Sequence, residues 1–329
     1  MKKLTLLLFV FAIVSCSGDD DNGNSGTDPD GYGSLDYKNE MRNFVIGISQ
    51  KAKAANSNFI IIPQNGIELV TINGEDDGMP ATAYLGAIDG NGQEDLFYGY
   101  DNDNQATHAE DTGYLKKLLD ISKNAGKTIL VTDYCSSQDK ISSSFQVNQA
   151  SGYISYAATE RDLNVIPQYG IYNENAGNIT SLSHAKNFLY LINPDKFASK
   201  ADFINAVTAT NYDAVIMDLY VENEVFTAAE INQIRQKANG GKRLVICYMS
   251  IGEAENYRYY WNSSWDNSNP GFLEAENPDW PGNYKVQYWN ENWQDIIYKN
   301  PDSYLSKIQG AGFDGVYLDI IDAFEYFEN

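Results

Sequence analysis

What most limits how this chain can fold is a recurring alternation of short, continuous apolar runs with helical patterns. The runs are Asn58 to Pro63 (NFIIIP), Thr128 to Cys135 (TILVTDYC), Asn187 to Ile192 (NFLYLI), Asp213 to Tyr220 (DAVIMDLY), Arg243 to Ser250 (RLVICYMS), Lys285 to Trp289 (KVQYW) and Gly315 to Ile320 (GVYLDI). Runs that are apolar throughout, rather than at every second position, belong to parallel strands covered on both faces. Between them, residues 36 to 55 set Met41, Phe44, Val45, Ile48 and Ala52 on one helical face, and residues 111 to 125 do the same with Leu115, Leu118 and Leu119. Further helices are expected at 199 to 210, 227 to 239 and 301 to 311. A weaker strand around Ala87 to Gly99 brings the strand count to eight. The alternation predicts an α/β fold, a single (β/α)8 TIM barrel over residues 35 to 329, with an open doubly wound sheet as the alternative.

The register of that alternation is unusual. It starts with a helix that has no strand before it and stops just past a strand that has no helix after it. Joining the two ends would repair both defects, as in a circularly permuted barrel whose first helix packs behind its last strand.

Ahead of the alternation, Met1-Lys2-Lys3, the apolar run Leu4 to Val14 and Ser15 make up a signal peptide, residues 1 to 15. Ile13-Val14-Ser15-Cys16 resembles a bacterial lipobox, in which Cys16 becomes the lipid-bearing first residue. Residues 16 to 34 then form an acidic tether with no aliphatic side chain to bury. Together these predict a lipoprotein anchored through Cys16 in the bacterial outer membrane, facing the cell surface or the periplasm. Cys135 and Cys247, each ending an apolar run, are expected as buried thiols.

The 45 acidic against 23 basic residues give a net charge of −22, which would repel a phosphate backbone and excludes nucleic acid as a partner. His108 and His184 lie apart without ligand spacing, and no Gly-rich loop with its Lys is present. Asp101-Asn102-Asp103-Asn104-Gln105 lacks both the glycine and the bidentate glutamate of a calcium loop. Neither a metal nor another cofactor is expected, and the protein is expected to be a monomer.

Catalytic groups of parallel barrels gather at the C-terminal ends of the strands. Here those ends carry acids: Asp218 after DAVIM, Glu253 and Glu255 after RLVICYMSIG, Asp319 and Asp322 in GVYLDIID, Asp133 with Tyr134, and Glu94-Asp95 in GNGQEDLFY, with Asn65 after FIIIPQ. Tyr98, Tyr190, Tyr220, Tyr248, Trp289 and Tyr317 stand near them. Any one such Asp is commonly the N-cap of the next helix, and any one such aromatic residue is as often core. Acids on four or more strand ends exceed what capping requires. Paired carboxyls with aromatic faces are what glycoside hydrolysis uses.

Three ordered segments, Cys247 to Arg258 (CYMSIGEAENYR), Trp289 to Ile296 (WNENWQDI) and Gly312 to Asp322 (GFDGVYLDIID), resemble glycoside hydrolase family 114. That family comprises endo-α-1,4-polygalactosaminidases and related extracellular polysaccharide hydrolases on a TIM barrel. NFIIIPQNG and GNGQEDLFYG resemble family segments that follow the GFDGVYLD strand but precede it here. The resemblance implies Asp319 as nucleophile or charge stabiliser and Glu94 as general acid/base, although Glu94-Asp95-Leu96 departs from the family's Glu-Gln-Cys. It further implies a sugar site lined by Asp218, Tyr248, Glu253, Glu255, Arg258 and Asp322. Asp133, Asn65, Tyr98, Trp289 and Tyr317 are added as candidates from their positions at strand ends. The implied substrate is an extracellular polysaccharide such as an α-1,4-galactosaminan. A glycan-binding surface lipoprotein without activity and a Mg²⁺-dependent barrel enzyme are the competing expectations.

Overall fold

The computed structural model describes residues 35–265 and 270–328, so Cys16, the leader and the acidic tether lie outside the described residues. Eight parallel strands alternate with helices: β1 Ile60–Pro63, β2 Gly90–Glu94, β3 Thr128–Tyr134, β4 Ile154–Ala158, β5 Phe188–Tyr190, β6 Ala214–Met217, β7 Leu244–Ser250 and β8 Gly315–Asp319. They form a five-stranded sheet in the order β1-β8-β7-β6-β5 and a three-stranded sheet β2-β3-β4. The first and last strands pair in parallel, Ile60 opposite Gly315 and Pro63 opposite Leu318. A parallel bridge between Gln64 and Gly92 links the two sheets just past the end of β1.

Two strand assignments differ from the sequence reading. Lys285 to Trp289 is not one of the parallel strands. Asn283–Val286 instead pairs antiparallel with Glu253–Glu255 and Leu273–Glu276 in a small separate sheet. Its alternation of Lys285 and Gln287 with Val286 and Tyr288 marks a strand with unlike faces. The eighth parallel strand is β4, whose small residues Ser155, Ala157 and Ala158 carry little hydrophobic signal although they are buried. The weak strand near Ala87 to Gly99 is β2, and its poverty in apolar residues has a steric cause. A Cβ on Gly92 would sit 2.0 Å from the Tyr317 hydroxyl, so the interior has room only for glycine there.

Helix α1 spans Tyr37–Ala55 and buries Met41, Phe44, Val45, Ile48 and Ala52, the expected face. Asp36 caps it by accepting from the Asn39 amide at 2.9 Å. It packs beside the helix Tyr304–Ala311, where Gln309 donates to the Ala52 carbonyl at 3.0 Å. Helices α2 (Thr82–Ala87), α3 (Ala109–Asn124), α4 (Gln138–Ser151), α5 (Lys200–Thr208) and α6 (Ala228–Ile234) follow in order. The expected helix over 227 to 239 is shorter, opening on a Thr227/Glu230 capping box and ending at Ile234. α4 was not legible because most of its residues are polar, yet it buries Ile141, Ser144, Phe145 and Asn148. Cys135 and Cys247 are buried free thiols. Among the described residues no helix is long and apolar enough to cross a membrane.

Candidate functional site

Side chains alternate across a strand, so each strand sends one parity inward among the strands and the other outward to the helices. In β3, Asp133 faces α4 and Tyr134 faces inward. In β2, Asn91 accepts from Ser122 of α3, while Gly92 and Glu94 hold the inner parity. Tyr317 and Asp319 share the inner parity of β8, and Tyr248 that of β7. The inner parity therefore converges on two carboxyls, Glu94 at the end of β2 and Asp319 at the end of β8, with β1 between them.

Glu94 is held on both oxygens. Tyr134 donates to Oε1, and the Asn65 amide donates to Oε2 at 3.1 Å. The Asn65 carbonyl oxygen accepts the Glu94 backbone N–H at 3.0 Å, which fixes the orientation of that amide. Asp319 accepts from the Tyr248 hydroxyl at 2.5 Å. Burial, and then the charge of Glu94, push the Asp319 carboxyl up to about 8, so it keeps a proton through neutral pH. Beneath the pair, Tyr190 donates to Gln64 at 2.8 Å, and Tyr317 meets Tyr190 edge-on with centroids 5.2 Å apart.

Both carboxyls are followed directly by strained backbone. Asp95 has φ +56° and Ile320 φ +59°, and Asn65 on the intervening strand end has φ +58°. The left-handed region suits Asn tolerably and a β-branched Ile poorly. Such strain persists only where its surroundings enforce it. At Ile320 they do: its carbonyl lies against Gly252, where a Cβ would come within 2.0 Å, and the Ile251 amide donates to the Asp319 carbonyl at 3.0 Å.

Several acids expected at a sugar face are already committed to the scaffold. Asp133 is fully buried and accepts from Phe97 N, Tyr98 N, Ser144 and Asn148, so it ties the loop after β2 to α4. Asp218 and Glu255 flank Arg258, with contacts of 2.7 Å and 2.5 Å. Glu253 is buried against Lys285 at 2.6 Å and accepts from Asn277 and Asn283, which fastens the small antiparallel sheet. The open negative charge is consequently smaller than the acid count suggests. Asp322 stays half-buried beside the pair, and burial pushes it up to about 6 against the opposing pull of Lys285.

The expected aromatic residues are corrected in the same way. Tyr317 is fully buried below the carboxyls. Tyr98 turns outward, its hydroxyl donating to Ser143 of α4 at 2.9 Å. Trp289 packs against Tyr37 and Phe327, with centroids 5.2 and 4.7 Å away. Of the expected aromatics, Tyr248 touches a carboxyl. The sequence reading missed Tyr134 as a site residue, although its parity, one residue past Asp133 and matching Glu94, was the available signal. It also missed Arg161, whose guanidinium lies 3.8 Å over the Tyr134 ring and pairs with Asp95 and Asp103. Arg161 stands three residues past the end of β4, carries no motif, and meets partners 58 and 66 residues earlier in the chain.

Four carboxyls near this end of the strands sit above the usual range, each first because of burial: Asp319 (about 8), Asp95 (about 7), Glu325 (about 7) and Asp322 (about 6). Between roughly pH 4 and 8 the folded chain binds more protons than the unfolded one at these positions, so stability falls as pH rises through that window. The melting temperature is expected to be higher near pH 5 than near pH 8.5. A flat or rising melting profile over that interval would contradict these environments.

Among the described residues no three His, Cys, Asp or Glu side chains converge to hold a metal ion. Residues 179–329 match a family described as glycoside-hydrolase family GH114. Similar curated proteins include an uncharacterized protein of Methanocaldococcus jannaschii, 38% identical over 156 residues, which is 46% of this chain and 42% of that one. An uncharacterized protein of Deinococcus radiodurans is 39% identical over 38% of each chain, and one of Thermotoga maritima is 35% identical over 37% of this chain and 36% of its own. The chain thus spans about two fifths of the length of these relatives.

Proposed function

Because residues 179–329 match glycoside-hydrolase family GH114, we propose that the protein hydrolyses an extracellular polysaccharide, with Asp319 and Glu94 as its working carboxyl pair. The observation that carries this reading is the pair itself. One member retains a proton to about pH 8, and the other accepts hydrogen bonds on both oxygens. A neutral carboxyl beside an accepting one is the state that two-carboxylate glycoside chemistry starts from. The neutral group, Asp319 here and so the reverse of the roles that the resemblance implies, delivers its proton to the departing glycosidic oxygen as the C–O bond breaks. The charged group supports the positive charge growing at the anomeric carbon, or attacks it, and water completes the substitution. The separate roles of the two are assigned by chemical rescue. Azide restoring turnover to one alanine variant identifies that position as the carbon-facing carboxylate.

The crowding of acids supports a cationic sugar polymer such as a partly deacetylated galactosaminan. After burial, Glu94 and Asp322 raise the proton affinity of Asp319, and Asp322 and Glu68 that of Glu325, and an ammonium group on the substrate would relieve that repulsion. We read the eight strands as one closed (β/α)8 barrel in permuted order. The β1–β8 pairing and the Gln64–Gly92 bridge support closure on one side, and the adjacency of β4 and β5 supports it on the other. The Ile13-Val14-Ser15-Cys16 sequence supports anchorage of this activity in the outer membrane.

The test is release of reducing ends from a panel of amino-sugar and neutral polysaccharides, with the Asp319→Asn variant as control. Retention on a polysaccharide with no release from any would favour the glycan-binding reading instead. Tyr134→Phe, which removes a donor to Glu94, is expected to lower kcat by about one order of magnitude while circular dichroism shows the fold retained.

A further inference from the structure

We propose that Tyr257, Tyr259 and Trp280, with Tyr220 behind them, form an extended platform beside the carboxyl pair that binds successive pyranose rings of a polysaccharide chain. The inference rests on the glycoside hydrolase reading and adds to it a binding surface for substrate outside the reacting pair itself. Large aromatic side chains are seldom left in water, yet here Tyr257 is 61% exposed, Trp280 58% and Tyr259 41%. All three lie in the excursion between β7 and β8, whose neighbouring aromatics Tyr260, Trp261 and Trp265 pack inward.

The two tyrosine rings are exposed and also held in place, and Trp280 is carried on a hydrogen-bonded turn. The Tyr257 hydroxyl donates to Glu255 at 2.5 Å, and the Arg258 guanidinium stands 5.3 Å from the ring centroid. Tyr259 stacks on Tyr220 with centroids 6.4 Å apart and meets Tyr304 edge-on at 5.8 Å. Trp280 sits in a tight turn in which its amide donates to Asn277 O at 3.3 Å and its carbonyl accepts Asn283 N at 3.0 Å. That turn is tied to the Tyr257 side by a 2.8 Å bond from Asn256 N to Gly282 O. The Tyr257 and Tyr259 rings and the backbone that carries Trp280 are therefore set before any ligand arrives, which lowers the ordering cost of binding.

The platform is continuous with the reacting groups. Tyr248 donates to Asp319, Tyr257 donates to Glu255, and the Glu255 charge lies close enough to bear on the Tyr248 hydroxyl, so the two hydrogen-bonded pairs are electrostatic neighbours. The rings are edged by charged and amide groups, among them Arg258, Asn277 and Lys307, the last with its ammonium 4.7 Å from the Tyr259 ring. Flat apolar faces with polar edges match a pyranose, whose axial C–H face is apolar and whose rim carries hydroxyls. A buried-hotspot protein partner would want a depleted charge at the centre of the patch.

The experiment uses the full chain carrying Asp319→Asn and Glu94→Gln, in affinity electrophoresis through gels cast with partly deacetylated galactosaminan, chitosan or a neutral glucan. Retardation on at least one polysaccharide is expected, with apparent affinity falling about tenfold on adding Tyr257→Ala or Trp280→Ala. Adding Met79→Ala, another exposed apolar side chain, should leave it unchanged. Exposure makes misfolding of the ring variants avoidable, and matched melting curves verify this. Loss of retardation on ring removal upholds the platform even when the parental enzyme releases no reducing ends, an outcome that sinks the hydrolase reading alone. Equal retardation of all variants, or none on any gel, overturns the platform, whether or not the parental enzyme is active.

Discussion

Asp319→Asn is expected to abolish hydrolysis and at the same time raise the melting temperature above about pH 8. The amide is nearly isosteric with the protonated carboxyl that the folded site holds, and it can still accept from Tyr248. It cannot give up or receive the proton on which the two-carboxyl chemistry depends, so kcat should fall by at least about three orders of magnitude. The stability effect has the opposite direction. Wild-type Asp319 ionises in the folded state only near pH 8, and in the unfolded chain near 4. Its contribution is therefore fully favourable below pH 4 and lost as pH rises through 8, whereas the variant has no such loss. Melting curves of both proteins at pH 5 and pH 9 check it. The gap should widen from pH 5 to pH 9, and a destabilised variant at pH 9 would contradict a protonated Asp319.

Removing the charge of Arg258 with Met should have the largest structural effect of any single change near the site. Arg258 donates to both Asp218 and Glu255 from a buried position and has ring contacts with Tyr257 and Tyr304. Without it two carboxylates face each other in a poorly hydrated place, and loss of one partner from a buried ionic group costs about 3–5 kcal/mol. For a chain of this size that corresponds to a melting temperature lower by roughly 10 °C. Lys is expected to rescue little, because one ammonium cannot reproduce a guanidinium that reaches two acids at once. The control is the combined Arg258→Met, Asp218→Asn, Glu255→Gln variant, which should recover much of the loss by removing the uncompensated charges. Chemical denaturation of the set measures it. An Arg258→Met protein as stable as wild type would mean the cluster is hydrated and loosely held.

The repeating apolar runs made the parallel strands legible because burial on both faces leaves a continuous hydrophobic signature. The same logic explains the failures. β4 is lined by Ser and Ala and β2 by Gly, since large neighbours such as Tyr317 already fill the space, so neither registers as apolar. Lys285 to Trp289 registered but pairs antiparallel, because hydropathy does not report which partner a strand meets. For the site, residue type and strand-end position brought out Glu94, Asp319, Asn65 and Tyr248. They did not separate carboxyls that face inward from those that brace the scaffold. Counting parity from Tyr317 to Asp319, and from Asp133 to Tyr134, would have done so for two strands. The cation that neutralises Asp218 and the ring that orients Glu94 are long-range partners, and no local pattern announces them.

The place of β8 within its sheet also bears on how this chain comes into being. β8 lies between β1 and β7, although it is made last of the eight. Until it arrives, β1 and β7 each present an open row of amides and carbonyls, and closing the gap means gathering segments from opposite ends of the described sequence. A nascent polypeptide halted after β7 should therefore be a sticky, protease-sensitive species, and native assembly should be slow and largely post-translational.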